Sequence, residues 1–227
     1  IKDMGANFLR LAHYPQDPYV YRLADELGLI LWSEIPNLNF INPSTELTSQ
    51  SATQIKEMIF QHFNHPSVLF WGSSNEILLW GENGARESSL EDLNYGKKVR
   101  DFVFAMDSTI RISDPGRLTT LAIHGSKDYD KIDVTDIPDM VSINLYDGWY
   151  GGVFEGFGLG LDSRKSRYPH QFLFVSEYGA GSDRRVHAAR PKRFDFSTEY
   201  QLLFHESYLK QINARDYLVG TAIWNQF

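Results

Sequence analysis

The chain has 227 residues, 42% of them hydrophobic and 14% aromatic, with 22 Lys and Arg against 29 Asp and Glu for a formal charge of −7. This is the make-up of a globular chain of one domain or two small ones with ample material for a core, and it excludes bulk disorder. The acidic balance argues against a nucleic-acid partner, no run reaches the roughly 20 apolar residues of a membrane span, and the lack of cysteine removes disulfides, thiol chemistry and cysteine-metal sites.

The chain opens without methionine on IKDMG, which reads as the last turn of a helix, and ends at Phe227 just after an apolar strand, so it reads as an excised piece. Short apolar runs then alternate with longer amphipathic ones, the pattern of repeated βα units. A strand at Phe8–Ala12 is followed by a helix at Tyr19–Leu27 and a strand at Leu29–Ser33. A helix at Thr53–Phe63, with Ile55, Met58, Ile59 and Phe63 on one stripe, leads to a strand at Ser67–Gly72. A helix at Asp92–Met106 precedes strands at Leu118–Ile123 and Met140–Leu145. Asp147–Arg167 is glycine-rich and reads as a long loop with a short helix at best. The strand Phe172–Ser176, the helix Glu199–Asn213 and the strand Val219–Trp224 complete the pattern.

Seven such strands fit either an open doubly wound sheet or most of an eight-stranded barrel. Polar or aromatic groups stand at every strand end: Arg10 and His13, Glu34, Asn75 and Glu76, His124, Asn144 and Tyr146, Glu177, and Trp224. A barrel converges all of these on one site, whereas an open sheet uses chiefly those beside its switch point. The expectation is an α/β fold, a (β/α)8 TIM barrel without its first strand, most of its first helix and its last helix. It forms a single catalytic domain over residues 1–227 of a larger parent.

Two strand ends carry the chemistry. HPSVLFWGSSNE delivers Asn75 and Glu76 after an apolar run, where low dielectric would raise a carboxyl pKa and suit it to general acid work. FLFVSEYG delivers Glu177 in the same way. Two carboxylates on facing strand ends are the equipment of glycoside hydrolysis; each taken alone also fits a glutamate that points into solvent.

These two stretches resemble the acid/base and nucleophile signatures of glycoside hydrolase family 2. RLAHYPQDPYVYRLADELGLILWSE, INLYDGWYGG and GTAIWNQF resemble other barrel strands of that family, so the likeness spans the chain. It implies a retaining mechanism with Glu76 as acid/base and Glu177 as nucleophile, their carboxyl groups about 5–5.5 Å apart. It further implies that Asn75 bonds the sugar 2-hydroxyl, that Tyr146 bonds the nucleophile, and that His13, Arg10 and Trp224 line the terminal sugar subsite. Arg10 and Tyr146 are the expected donors to Glu177.

Glu34 in WSEIPN is read as a second layer that orients its neighbours, in preference to a third site carboxylate. His124 either lines the site or is a satisfied loop histidine, Trp71 belongs to the core, and Trp149 and Tyr150 are candidates to stack on an outer sugar. Arg184, Arg185, Arg190, Lys192 and Arg193 form a basic run that is either a solvated face or a seat for a carboxylate or sulfate. No metal-ligand spacing and no phosphate loop occur, so no cofactor is required, although family members bind magnesium or sodium near the site. The partners implied are a β-linked oligosaccharide or glycoside, flanking β-sandwich domains and a homo-oligomer. YGAGSDRR and EYQLLFHESYL most resemble β-galactosidases, which makes β-galactosidase the expected activity. β-Glucuronidase and β-mannosidase are the alternatives, and a non-catalytic sugar-binding barrel is a remote one. The Asn-x-Lys carboxylate clamp of the glucuronidases would fall past Phe227.

Overall fold

The structure, a computed structural model, describes residues 1–80, 90 and 93–225. The chain forms two compact units, Ile1–Val141 and Ser142–Phe227.

The first unit contains β1 (Phe8–Leu11), α1 (Pro18–Leu27), β2 (Ile30–Glu34), α2 (Thr45–His62), β3 (Val68–Asn75), α3 (Leu93–Ser113), β4 (Leu118–Ile123) and the short α4 (Asp128–Lys131). Each boundary of α1 has a local cause. Asp17 caps the start by accepting the Tyr19 amide, Pro18 sits where its missing N–H costs nothing, and Gly28 stops the helix at φ 64°. β1 to β4 pair in parallel, each with the next. Ile55, Met58 and Ile59 of α2 and Val99, Phe102, Met106 and Ile110 of α3 are buried, as are Leu31, Trp32, Phe70 and Trp71 of the sheet.

β5 (Met140–Asn144) carries the boundary between the units, and the second unit continues with α5 (Phe154–Arg167), β6 (Phe172–Tyr178), α6 (Thr198–Asn213) and β7 (Leu218–Ile223). β6 and β7 are parallel. Phe204 and Tyr208 of α6 stack with centroids 4.1 Å apart, and Phe157 of α5 packs on Tyr208 at 4.1 Å. The sheet order is β1 to β7 in chain order, with none of the reversal that defines a doubly wound sheet. Among the described residues no helix is long and apolar enough to cross a membrane.

Three helices differ most from expectation. α2 starts eight residues before the expected Thr53, because Ser44 caps it through the Leu47 amide while its first turns are too polar to show an apolar stripe. α3 runs on past Met106 to Ser113, with Thr109 and Ser113 hydroxyls bonded back to helix carbonyls; the expected start at Asp92 lies outside the described residues. The expected loop over Asp147–Arg167 is corrected to a turn followed by the 14-residue α5. Its glycines 156, 158 and 160 weaken helix propensity, but the Gly158 amide donates to Gln211 Oε1 of α6 at 3.0 Å, and a Cβ there would meet Arg215 and Gln211.

Gly179 permits a close approach of another kind. A Cβ at this position would lie 2.1 Å from the Trp224 carbonyl oxygen, beside the Trp224 amide bond to the Tyr178 carbonyl at 2.8 Å. Backbone cannot swing aside as a side-chain tip can, so Gly179→Ala is expected to destabilise the domain by about 1–3 kcal/mol. Thermal unfolding of the full-length protein checks this; an unchanged melting temperature would show that the two segments part without cost.

Candidate active site

Arg10, His13, Glu34, Asn75, Glu76 and His124 belong to the first unit, and Tyr146, Trp149, Glu177 and Trp224 to the second.

In the first unit the ends of β1, β2 and β3 supply a buried polar cluster. Arg10 ends up beside β2 because Phe8 to Leu11 pair with Ile30 to Ser33 in register. Its guanidinium grips Glu34 through Nη2 to Oε1 at 3.0 Å and Nε to Oε2 at 3.2 Å, with both side chains 3% exposed or less. This is the fork geometry in which arginine binds a carboxylate most tightly. Arg10 also lies 4.5 Å over the Trp32 ring. Glu34 Oε1 accepts a further bond at 2.8 Å from His13 Nδ1. A carboxylate only accepts, so Nδ1 carries the proton and Nε2 is the acceptor nitrogen of the neutral ring.

The same guanidinium donates from Nη2 to Asn75 Oδ1 at 2.9 Å. Arginine can only donate, so the atom facing it is the amide oxygen and Asn75 presents its NH2 as a donor elsewhere. Glu34 therefore orients Arg10 and His13, and Arg10 orients Asn75. Room for this exists because residue 72, opposite Glu34 in the β2–β3 ladder, is glycine; a Cβ there would lie 2.2 Å from Trp32 Nε1 and 2.7 Å from Glu34 Cβ.

β3 is longer than the expected Ser67–Gly72 and reaches Asn75, its register against β4 shifting between Gly72 and Asn75. Such a bulge re-aims the residues that follow. Glu76 comes next with φ 51°, a left-handed backbone that costs a non-glycine residue about 1–3 kcal/mol and is retained where surroundings impose it. Its amide donates to Ala122 O at 2.9 Å and its carbonyl accepts the Leu79 amide at 2.7 Å. His124 is half-buried, its Nδ1 accepting the Ser126 amide at 3.3 Å and its ring edge-on to Tyr129 at 5.1 Å. Burial pulls its pKa down to about 4, partly opposed by Asp128, so the ring is neutral at ordinary pH with its remaining proton on Nε2.

In the second unit Glu177 lies within β6, which runs past the expected Ser176 to Tyr178. It is 6% exposed, and Tyr146 Oη donates to its Oε2 at 2.9 Å. The Leu145 amide holds the Glu177 carbonyl at 2.8 Å, and Ser176 Oγ donates to Asn144 Oδ1 at 2.6 Å. The Tyr146 ring is 4.9 Å from that of Tyr150. Trp224 follows β7, tied by its amide to Tyr178, and is partly exposed.

Trp149 is not placed as expected. It is 4% exposed, with Phe194 at 4.8 Å, Phe196 edge-on at 5.3 Å and Tyr200 at 6.0 Å around its ring. It anchors the loop after β5, helped by the Tyr200 hydroxyl on the Gly148 carbonyl. The exposed aromatic there is Tyr150. Within the basic run, Arg185 is exposed and pairs with Asp183 at 2.5 Å, while Arg193 lies 5.6 Å over the Phe194 ring. Trp71 is in the core, as expected, its indole N–H on Asp114 at 2.9 Å. Among the described residues no group of three or more His, Asp or Glu side chains is arranged to hold a metal ion.

Asn37, Ser51 and Tyr129 were not marked by the sequence. All three are buried and bonded around the end of β3, and the only hint was the IPN turn directly after β2.

Comparison with known proteins gives a consistent assignment. The model of the family described as glycosyl hydrolases family 2, TIM barrel domain, matches residues 1–227. A β-glucuronidase of Bacteroides fragilis is 30% identical over 242 residues, covering 100% of this chain and 32% of the relative. A β-glucuronidase of Streptococcus agalactiae is 25% identical, covering 99% of this chain and 39% of the relative. The crystal structure of a β-glucuronidase of Bacteroides uniformis superposes with a TM-score of 0.93 at 38% identity, over 99% of this chain and 27% of that one. The chain thus spans about a third of the length of these proteins.

Proposed function

Because the chain belongs to glycosyl hydrolase family 2, as its TIM barrel domain, we propose that the protein carrying it is a retaining β-glucuronidase with Glu76 as acid/base and Glu177 as nucleophile. The observation that supports Glu177 as the nucleophile is its burial at the end of β6 with Oε2 held by the Tyr146 hydroxyl at 2.9 Å, which fixes the orientation of the carboxyl group. For the sugar, support comes from the relatives, which are named β-glucuronidases and match the whole chain. The likeness of YGAGSDRR and EYQLLFHESYL to β-galactosidases is a weaker ground, since it rests on two short stretches.

Glu177 attacks the anomeric carbon from the face opposite the aglycone while Glu76 gives its proton to the glycosidic oxygen; the C1–O bond breaks and a glycosyl ester forms. Water then attacks the same carbon, Glu76 takes its proton and Glu177 departs, so the β configuration returns. Asn75, whose amide oxygen is held by Arg10 so that the NH2 is left as its donor, donates to the sugar 2-hydroxyl, a bond that strengthens as charge develops on the ring. His13, Arg10 and Trp224 are assigned to the terminal sugar subsite, with Glu34 bonded to Arg10 and His13.

Hydrolysis of 4-nitrophenyl β-glycosides that differ only in sugar tests the reading on the full-length protein. A site that pairs a carboxylate rejects an analogue lacking it, so kcat/KM for the glucuronide is expected to exceed that for the galactoside and mannoside by roughly 10³-fold or more. A preference for the galactoside would return the assignment to β-galactosidase.

A further inference from the structure

Beyond Glu34 in WSEIPN, the chain runs back over the end of β3. Leu38 bridges Asn75 in parallel and Phe40 bridges Leu78 in antiparallel fashion, so residues 38–40 act as an added ladder on the segment that carries Glu76. The Asn75 amide donates to the Asn37 carbonyl at 2.8 Å, the Asn39 amide to the Asn75 carbonyl at 2.9 Å and the Trp80 amide to the Asn39 carbonyl at 3.1 Å. The turn after Glu76 is pinned from the other side, where the Tyr129 hydroxyl accepts the Leu78 amide at 3.1 Å.

Besides these backbone bonds, one buried side-chain amide ties the loop to its neighbours. Asn37 Nδ2 donates to the Ser73 carbonyl at 3.1 Å, and Asn37 Oδ1 accepts the hydroxyl of Ser51 on α2 at 3.1 Å. Asn37, Ser51 and Ser73 are all under 9% exposed. Asn37 thus joins α2, the loop after β2 and the bulged stretch of β3 directly before Glu76. A residue in the left-handed region relaxes to an ordinary backbone as soon as its neighbours allow, and that rotation would swing the carboxyl away.

We infer that Asn37, tied to Ser51, is a positioning residue for Glu76: it holds the backbone conformation from which the acid/base carboxyl is aimed at the glycosidic oxygen. The inference rests on the reading of Glu76 as acid/base and goes beyond it in naming what sets its aim.

Leaving-group dependence separates this role from a purely structural one. An acidic phenol or dinitrophenol departs without protonation, whereas a poor leaving group needs it. In the full-length protein, Asn37→Ala is expected to lower kcat/KM for a poor leaving group about 10- to 100-fold more than for a 2,4-dinitrophenyl glycoside, a fraction of what a general acid supplies. Ser51→Ala, which removes one hydroxyl and keeps the amide, is expected to give a smaller split in the same direction. Glu76→Gln serves as the reference and should give the largest. Equal losses on both substrates in Asn37→Ala and Ser51→Ala, with the split intact in Glu76→Gln, would overturn the positioning role. If Glu76→Gln itself shows no split, the acid/base reading falls and takes this inference with it.

Discussion

Glu177→Gln in the full-length protein is expected to abolish hydrolysis even of an activated aryl β-glucuronide, by roughly 10⁴-fold or more, because no other group can form the glycosyl ester. Glu76→Gln should behave differently. With a good leaving group its first step needs little protonation, so the ester forms, but no base activates water and the intermediate accumulates. Azide attacks without a base and should restore turnover, yielding a β-glucuronyl azide. Equal loss in both variants with no azide rescue would mean that the two roles are wrongly assigned. Each variant replaces a carboxyl group with an amide of nearly the same volume, which makes the contrast a matter of chemistry and not of packing.

The second large effect belongs to Glu34. It is buried with Arg10, holds that guanidinium with both oxygens and also accepts His13. Glu34→Ala takes from the buried Arg10 the carboxylate it holds with two bonds, and breaking such a pair from one side costs about 3–5 kcal/mol. The Arg10 bond that orients the Asn75 amide should loosen with it, and kcat/KM is expected to fall roughly 100-fold in the protein that remains folded. A double replacement, Arg10→Met with Glu34→Leu, separates the two consequences. It removes both charges together, so it should recover much of the lost stability and none of the activity. Thermal unfolding and kcat/KM on one set of variants read both effects; a Glu34→Ala protein as stable as the parent would show that water satisfies Arg10 and that the cluster is not dry.

Much of the fold was legible because its strands are apolar almost throughout and are bounded by turns, so runs such as Leu118–Ile123 announce themselves. The ends of β3 and β6 are not legible because their closing residues, Ser73 to Asn75 and Glu177 to Tyr178, look like loop by composition. α5 stayed hidden because what tolerates its glycines is contact with α6, more than 50 residues downstream. The same distance hid the burial of Trp149: GWYGG looks like an exposed aromatic turn until Phe194, Phe196 and Tyr200 are brought against it. At the site, strand ends mark candidate residues and not what they touch. The grip of Arg10 on Glu34 and Asn75 is not legible from strand ends, since it depends on β1 pairing with β2 in register and delivering the guanidinium to the Glu34 carboxylate. Asn37 had no signal at all, because an asparagine in a turn is ordinary until its amide is seen bridging Ser73 and Ser51.

Trapping the covalent intermediate tests the central claim most directly. The full-length protein is incubated with a mechanism-based glucuronide inactivator whose ester hydrolyses slowly, digested, and its labelled peptide sequenced by mass spectrometry. One glucuronyl group per protein is expected, on Glu177 in the peptide containing FLFVSEYG, with Glu76→Gln labelled at the same position and Glu177→Gln not labelled at all. A label on Glu76, or on a residue outside these two strand ends, would contradict the assignment.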